Sequence, residues 1–356
     1  MIEFLNNIED KEIKFAVIIS RTNDGEWVLC KHKERNTFEF PGGHREESET
    51  ILETAERELF EETGAIQYDI EKIGIYSNIE NKKKSYGMLY YADIKKFESI
   101  PSGSEIEKIE ITESLEGYSW SYPIIQENLI KYIKEYIINR NIKELKNYVK
   151  SVTLKEETGH DWWHIERVYN TSITIAKIEK VQIYIVEIIS LMHDLYDHKF
   201  FNGNPEKEIL RTLKNFNLTK ELSTKDIDNI VASCLNLGYS SNIEEKKELS
   251  LEGKIVQDSD RLDAMGAIGI ARTFAYGGKT KRNIYNPDVG IIEIRNQNDY
   301  NNLNRHSINH FYEKLLKLKY LMNTEEAKRI AKLRHEFMQR YLEEFFEEWK
   351  GKKKQK

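Results

Sequence analysis

The spacing of apolar residues changes near residue 140 of this 356-residue chain. Before that point, short apolar runs such as residues 13–19, IKFAVII, are separated by turn signals, which is typical of β-strands joined by loops. After it, apolar residues recur at helical spacing and strand patterns disappear. The sequence therefore predicts a multidomain protein with an α/β part over residues 1–140, an all-α part over 141–350 and a basic tail over 351–356.

A short polar segment at residues 139–142 is expected to join the two parts. The helix predicted before it covers residues 123–138, where apolar residues keep a helical period after Pro123. In the helical part, the pattern predicts helices at residues 143–155, 161–178, 181–195, 205–215, 224–237, 251–276 and 311–349, the last broken near Asn323.

The overall composition argues against several classes of protein. A net charge of −6 is unlike that of a general nucleic-acid binder, and no apolar run approaches the length of a membrane span. Cys30 and Cys234 lie far apart without metal or redox spacing, which favours a reducing compartment. The first residues lack a secretory signal pattern. We therefore expect a cytoplasmic protein that acts on small molecules, without membrane or stable nucleic-acid partners.

Residues 43–65, GHREESETILETAERELFEETGA, carry glycine, glutamate and arginine at fixed intervals. The middle of the stretch has helical composition, and Gly64 is expected to end the helix. Glu58, Glu61 and Glu62 then share one face, because they stand at i, i+3 and i+4. Glu-rich helix faces are in general solvated, but the fixed spacing argues against that interpretation here. Repulsion between neighbouring carboxylates would also be relieved by a hard divalent cation such as Mg²⁺ or Mn²⁺.

The fixed positions of this stretch resemble the Nudix box, G-x5-E-x7-R-E-U-x-E-E-x-G-U, in which U is a bulky apolar residue. Every fixed position matches, and only Ala65 is small for its apolar slot. The resemblance implies an α/β/α sandwich around a mixed sheet. It also implies Mg²⁺- or Mn²⁺-dependent hydrolysis of a nucleoside diphosphate linked to another group.

The same resemblance implies roles for residues in and beside the box. Arg57 would pair with Glu49 and so orient the acidic cluster. The implied catalytic residues are Glu58, Glu61 and Arg57. The implied metal ligands are the carbonyl oxygen of Gly42 and the carboxylates of Glu58, Glu61 and Glu62.

One more acidic ligand or base is expected outside the box. Enzymes of the family often take it from a late loop or strand, and Glu105 precedes the alternating stretch IEKIEI. Glu105 is the first choice for this metal ligand, with Glu107 and Glu110 as alternatives. A surface glutamate in an acidic loop explains the position equally well, so both interpretations stay open.

The helical part contains three separated motifs rich in histidine and aspartate. They are GHDWWHIERVYN at residues 159–170, LMHDLYDHK at 191–199 and QDSDRLDAMGAIG at 257–269. A single His-Asp doublet is weak evidence, but His, His-Asp and Asp on successive helices form a more specific pattern. Such mixed nitrogen and oxygen ligands suit Mn²⁺, Co²⁺, Ni²⁺ or Fe²⁺, and also Mg²⁺.

This order of residues resembles the HD phosphohydrolase superfamily, an all-helical fold, over roughly residues 142–350. His164 is preferred to His160 in the first motif, because the family's first ligand stands three residues before an arginine, as His164 does before Arg167. The metal ligands that the resemblance implies are His164, His193, Asp194 and Asp260.

The resemblance also implies residues that handle the substrate. Arg167 and Lys199 would contact phosphate oxygens, and Asp197 would act as a general base or orient the attacking water. Asp258 and Asp263 are candidates for supporting the ligands or capping the site.

Both resemblances indicate phosphoanhydride chemistry. The leading hypothesis is a bifunctional metal-dependent nucleotide pyrophosphohydrolase that converts modified or surplus nucleoside triphosphates to monophosphate and pyrophosphate, and so sanitises the nucleotide pool. An alternative combines Nudix action on ADP-ribose, a dinucleoside polyphosphate or capped RNA with an HD nucleotidase or phosphodiesterase. A third hypothesis is a nucleotide-sensing HD module. The oligomeric state stays open, with a homodimer as one option.

Overall fold

The computed structural model describes residues 2–80, 83–154, 161–196, 201, 203–238, 248–291 and 306–351. The chain divides into two compact units, Met1–Ile137 and Ile138–Lys356. Each unit has its own buried apolar core.

The first unit is built on a mixed sheet. In chain order it contains β1 (Ile2–Leu5), β2 (Ile13–Thr22), β3 (Trp27–His32), β4 (Phe38–Glu39), β5 (Gly42–His44), helix α1 (Ile51–Thr63), β6 (Ala65–Glu80), β7 (Lys83–Phe97), β8 (Ile106–Thr112) and the start of helix α2 (Pro123–Thr153). Among the described residues the strand order is β1-β6-β7-β2-β3-β4, while β5 pairs with β2 and β8 with β3. The β2–β7 pair is parallel and the other described pairs are antiparallel.

Apolar side chains cover both faces of this sheet, so each face packs against a helix. On one face, Leu59 of α1 lies in a buried cluster with Ile18. On the other face, Ile133 of α2 lies in a buried cluster with Leu89. Full burial of such a side chain contributes about 1.5–3 kcal/mol. The α/β/α sandwich that the Nudix resemblance implies is confirmed.

Helices are the regular elements of the second unit among its described residues, which confirms the expected all-α part. After the end of α2, its helices are α3 (Trp162–Glu179), α4 (Ile183–Met192), α5 (Pro205–Asn215), α6 (Leu218–Glu221), α7 (Thr224–Asn236), α8 (Leu251–Asp263), α9 (Gly266–Lys279), α10 (Ser307–Glu313), the 3₁₀ helix Leu315–Leu321 and α11 (Glu325–Trp349). Helices α3, α4 and α8 pack on one another. None of the described helices is both long and apolar enough to cross a membrane.

The polar joint predicted at residues 139–142 is wrong, because α2 runs without interruption from Pro123 to Thr153. Asparagine is only weakly unfavourable inside a helix, and the segment contains neither glycine nor proline. Ile138, Ile142 and Leu145 continue the apolar stripe and join the core of the second unit. Tertiary packing therefore carries the helix across the polar residues.

The single helix predicted for residues 251–276 is also wrong, because the chain turns between α8 and α9. Gly266 has a φ of 70° at this turn, a conformation that glycine adopts without strain. The long helix predicted for residues 311–349 is divided as well. Its predicted break near Asn323 is confirmed, since the 3₁₀ helix ends at Leu321 and α11 begins at Glu325.

We expect substitutions in each core to act on their own unit. Leu89→Ala and Leu213→Ala each shorten a fully buried side chain, one in the sheet core and one in the helical core, and each should cost about 2–5 kcal/mol. Hydrogen exchange followed by mass spectrometry should show faster exchange in the substituted unit, with each variant serving as the control for the other. Equal loss of protection in both units would contradict separate cores.

Candidate active sites

Helix α1 presents the acidic cluster, and its ends are fixed by local signals. At the start, Thr50 Oγ1 accepts from the Glu53 N–H at 3.2 Å, and the Glu53 carboxylate accepts from the Thr50 N–H at 2.7 Å. This reciprocal capping box sets the first turn. At the end, Gly64 has a φ of 72°, the left-handed conformation that commonly ends a helix. The predicted helix stop at Gly64 is therefore confirmed.

The loop before α1 approaches the acidic cluster closely. The Gly42 N–H donates to Glu62 Oε2 at 3.0 Å. At Gly43, an added Cβ would stand 2.0 Å from Glu58 Oε1, so a side chain there would displace the carboxylate. The structure thus places Gly42, whose carbonyl oxygen is a predicted ligand, beside the predicted carboxylate ligands.

Arg57 connects the carboxylates of this cluster. Its Nε donates to Glu49 Oε1 at 2.6 Å and its Nη2 to Glu49 Oε2 at 3.1 Å, which makes a two-point contact. Its Nη1 donates to Glu58 at 2.8 Å and to Glu61 at 3.2 Å. The predicted pairing of Arg57 with Glu49 is present, and it holds the acidic face in one arrangement.

The electrostatics of the cluster favour a cation. Burial raises the pKa of Glu62 to about 8, opposed by the Gly42 N–H and reinforced by the charge of Glu58. Burial also raises the pKa of Glu58, although Arg57 opposes the shift. The hydrogen bond from Arg57 lowers the pKa of Glu49 to about 2. Carboxylates whose ionisation is disfavoured by burial gain from a bound cation, and an all-oxygen donor set fits Mg²⁺ or Mn²⁺.

The expected additional acidic residue, Glu105, lies at the edge of this cluster. Its side chain is 84% exposed, and its Oε2 lies 3.0 Å from His32 Nε2. Its charge still contributes to the raised pKa of Glu62. The alternatives Glu107 and Glu110 are each paired with a lysine at 2.6 Å. Glu105 therefore stays the first choice for the further ligand.

One acidic residue near the cluster, Glu39, was missed from the sequence. It stands opposite Cys30 in the β3–β4 pair, and its side chain is only 12% exposed. Burial raises its own pKa, and its charge contributes to the raised pKa of Glu62. Its place in the segment FEFPGG, which leads into the box, was the available signal.

Three helices bring the predicted ligands of the second unit together. His164 lies in the first turn of α3, where Asp161 Oδ1 accepts from its N–H at 2.9 Å and caps the helix. His193 follows the last residue of α4, and Asp194 comes directly after it. Asp260 projects from α8. Both histidines are buried.

The side chains of these four ligands converge on one point. His164 Nε2 lies 3.2 Å from Asp194 Oδ2, 3.4 Å from Asp260 Oδ1 and 3.4 Å from His193 Nε2. His193 Nε2 is also 3.4 Å from Asp194 Oδ2. Ligand atoms about 2.1 Å from a shared ion stand about 3.0–3.4 Å from their neighbours. The arrangement therefore fits one ion with mixed nitrogen and oxygen ligands.

Asp263 contacts the other side of His164. Its Oδ2 lies 2.7 Å from His164 Nδ1. Arg167 donates to it from Nε at 2.6 Å and from Nη2 at 3.0 Å, and Arg272 also donates to Oδ2. One edge of the Arg167 guanidinium, which was predicted to contact phosphate, is thus held by Asp263. Arg272 was missed, and its only sequence signal was its place in the helix that follows the third motif.

The charges of this cluster stabilise one another. Burial disfavours the charged form of His164, but hydrogen bonds with Asp194, Asp260 and Asp263 outweigh it and raise its pKa well above the usual value. Burial also opposes ionisation of Asp260, yet the hydrogen bond with His164 lowers its pKa to about 2. Burial also opposes ionisation of Asp263, but its hydrogen bonds with His164 and Arg167 lower its pKa. Positive charge at the centre of the cluster is therefore favourable, and a cation would supply it.

Other residues named from the sequence have a different structural role or lie outside the described part of the chain. Asp258 accepts from the N–H groups of Asn323 and Thr324 at 2.8 Å each, so it supports the start of α11. Three of the residues named from the sequence, His160, Asp197 and Lys199, lie outside the described part of the chain.

Comparison with known proteins relates the first unit to one family. Residues 11–126 match the model of the NUDIX domain. A stretch of 74 residues, 21% of the chain, is 40% identical to the putative 8-oxo-dGTP diphosphatase YtkD of Bacillus subtilis. The match spans 46% of that protein, so it relates about half of YtkD to this chain.

The rest of the chain is similar to a second group of proteins. It is 33% identical over 210 residues to YpgQ of Bacillus subtilis, covering 57% of the chain and 91% of YpgQ. The crystal structure of an HD-superfamily hydrolase from Bacillus thuringiensis is 36% identical, with 60% of the chain and 98% of that protein covered and a TM-score of 0.48. A crystal structure from Lactobacillus plantarum is 32% identical, with 60% and 98% covered and a TM-score of 0.52.

We expect Arg57→Lys to weaken metal binding at the α1 cluster. Lysine keeps the charge but cannot hold Glu49 at two points and reach Glu58 as well. Mn²⁺ affinity should therefore fall by about 10–100-fold, as is typical when an orienting partner is lost. The measurement is a Mn²⁺ titration followed by electron paramagnetic resonance, made in an Asp260→Ala background to silence the second cluster.

Arg329→Lys is the control for this substitution. Arg329 is exposed on α11 and pairs with Glu326 at 2.7 Å, so its replacement should leave Mn²⁺ affinity unchanged. Equal affinity in the Arg57→Lys and unsubstituted proteins would show that the arginine does not organise the cluster.

Proposed function

The chain belongs to the HD-superfamily hydrolases through its helical unit and contains a NUDIX domain in its first unit, and from this we propose that it is a bifunctional nucleotide pyrophosphohydrolase. Both families are divalent-metal-dependent phosphohydrolases that act on phosphoanhydride bonds, so the chain is an enzyme of that class. The proposal adds that each unit has its own active site. Each site would convert a nucleoside triphosphate to monophosphate and pyrophosphate.

One observation carries the proposal more than any other, and it is the convergence at His164. Its Nε2 lies within 3.4 Å of atoms from His193, Asp194 and Asp260, which come from two other parts of the sequence. Buried imidazole and carboxylate groups that face one another are costly without a shared positive charge. A metal-dependent site is the function that this arrangement supports best.

At the NUDIX site, the acidic face of α1 would bind the cation. When bound, a divalent cation neutralises phosphate charge and activates water as a Lewis acid. Arg57 would keep the carboxylates in place, and Glu58 or Glu61 would take the proton of the attacking water. We retain Glu105 as the candidate for a further ligand. The proposed ligands for Mg²⁺ or Mn²⁺ are Gly42 through its carbonyl oxygen, Glu58, Glu61 and Glu62.

At the HD site, the proposed chemistry depends on residues around the converging ligands. Arg167, fixed along one edge, would offer its remaining N–H groups to phosphate oxygens. Lys199 would add a second contact, and Asp197 would accept or orient the proton of the attacking water. The proposed ligands for Mn²⁺, Co²⁺, Ni²⁺ or Fe²⁺, with Mg²⁺ as a weaker fit, are His164, His193, Asp194 and Asp260.

The choice of substrate rests on the relatives. A crystal structure of YpgQ contains ADP. YtkD is named a putative 8-oxo-dGTP diphosphatase. Both descriptions concern nucleotides, so we propose nucleoside triphosphates as substrates. An oxidised purine triphosphate is our choice for the NUDIX site, which would give the chain a role in nucleotide-pool sanitation.

Reciprocal inactivation tests whether both sites act. Glu62→Gln removes a ligand charge at the first site, and Asp260→Ala removes a ligand at the second. Each variant of the full chain is assayed for release of phosphate and pyrophosphate from a panel of nucleotides with Mg²⁺, Mn²⁺ or Co²⁺. We expect Glu62→Gln to lose a few orders of magnitude on one set of substrates and Asp260→Ala on another.

Two acidic residues outside the proposed ligand sets serve as controls for these variants. Glu56 shares α1 with the cluster but not its ligand face, and Asp228 is exposed on α7. Glu56→Gln and Asp228→Ala should retain full activity with every nucleotide. Unchanged turnover on the whole panel in Glu62→Gln or in Asp260→Ala would show that the corresponding site is inactive.

A further inference from the structure

Asp263 approaches a proposed metal ligand from the side that faces away from the metal. It ends α8 three residues after Asp260, so the two carboxylates leave the helix on the same side. Asp260 Oδ1 lies 3.4 Å from His164 Nε2, whereas Asp263 Oδ2 lies 2.7 Å from His164 Nδ1. One imidazole is therefore held between two carboxylates of one helix.

The carboxylate of Asp263 favours a hydrogen on Nδ1 of His164. Its carboxylate accepts from Arg167 Nε at 2.6 Å and from Nη2 at 3.0 Å, a two-point contact typical of an ionised carboxylate. An ionised carboxylate can only accept, so the contact with Nδ1 requires a hydrogen on Nδ1. With a metal ion bound between Nε2 and the carboxylates of Asp194 and Asp260, the lone pair of Nε2 would face that ion.

The same carboxylate gathers two arginines beside the metal cluster. Arg167 comes from α3 and Arg272 from α9, and both donate to Oδ2 of Asp263. Arg272 Nη1 also comes within 3.0 Å of His164 Nδ1. Arg272 Nη1 and His164 Nδ1 both contact the same oxygen of Asp263. Arg167 is held along one edge and Arg272 at Nη1. Their side chains are 36% and 30% exposed, so part of each stays accessible.

We infer that Asp263 is a positioning residue that couples metal binding to substrate binding at the HD site. Through Nδ1 it fixes the orientation and tautomer of His164. Through Arg167 and Arg272 it holds positive charge next to the metal, where the phosphates of a nucleotide bind. The inference rests on the metal site proposed above, and it assigns Asp263 an effect on both binding steps without contact with either ligand.

Co²⁺ tests the metal half of this inference, because its visible absorption reports ligand geometry. The full-length protein is titrated with Co²⁺ alone, and the absorbance that His164→Ala removes is assigned to the HD site. Asp263→Asn keeps an oxygen that can accept from Nδ1, whereas Asp263→Ala keeps none. Co²⁺ affinity should fall by about 10–100-fold in Asp263→Ala, with an altered spectrum, and Asp263→Asn should recover part of both.

Asp258→Asn is the matched control, since Asp258 is a buried aspartate of the same helix that binds Asn323 and Thr324 instead. It should lower thermal stability and leave Co²⁺ affinity and spectrum unchanged. Wild-type Co²⁺ binding in Asp263→Ala overturns the inference, and so does an equal loss in Asp258→Asn. Absence of any His164-dependent signal in the unsubstituted protein refutes the proposed metal site itself.

Steady-state kinetics test the substrate half. With the nucleoside triphosphate that the full chain hydrolyses fastest at the HD site, Arg272→Ala should raise KM by about tenfold, the loss expected for one charge-assisted hydrogen bond. Arg272→Lys should recover part of the increase, because it restores the charge without the planar fork. An unchanged KM in Arg272→Ala overturns this half of the inference.

Discussion

The cost of ionising carboxylates in a partly buried space is the constraint on which both candidate sites depend. In the first unit, Arg57 reduces this cost by donating hydrogen bonds to the carboxylates of Glu49, Glu58 and Glu61. In the second unit, the imidazole of His164 lies between carboxylates at both nitrogens. In the first unit the single arginine balances only part of the negative charge, and in the second the neutral imidazole that a metal ion requires leaves the carboxylates without the charge of His164. The remaining charge is what makes a divalent metal ion favourable.

The two sites offer different kinds of ligand atom, because their donors come from different secondary-structure elements. The proposed donors of the first lie on one helix and the loop before it, so they are all oxygen atoms. The proposed donors of the second lie on α3, directly after α4 and on α8, which allows histidine and aspartate to meet. An oxygen site favours Mg²⁺ or Mn²⁺, whereas mixed donors favour later transition metals. One chain can therefore carry two phosphohydrolase sites that respond to different metals.

Local patterns made part of this arrangement predictable from sequence. Glu58, Glu61 and Glu62 lie on one helix, so helical geometry alone places them together. Glu39 was missed because its approach to Glu62 depends on strand register between β3 and β4, which spacing does not reveal.

Long-range packing explains the other failures. Arg272 reaches Asp263 only because the chain turns at Gly266, inside a stretch that looks like one continuous helix. The polar residues of α2 looked like a joint between two helices, but burial of Ile142 and Leu145 keeps the helix continuous through them.

The central claim is that the chain has two metal sites with separate donor sets. A crystal structure of the full chain with Mn²⁺, recorded with anomalous scattering, tests it most directly. The account predicts one anomalous peak among the glutamates of α1 and another among His164, His193, Asp194 and Asp260. A single peak, or a second peak bound by other residues, would contradict it.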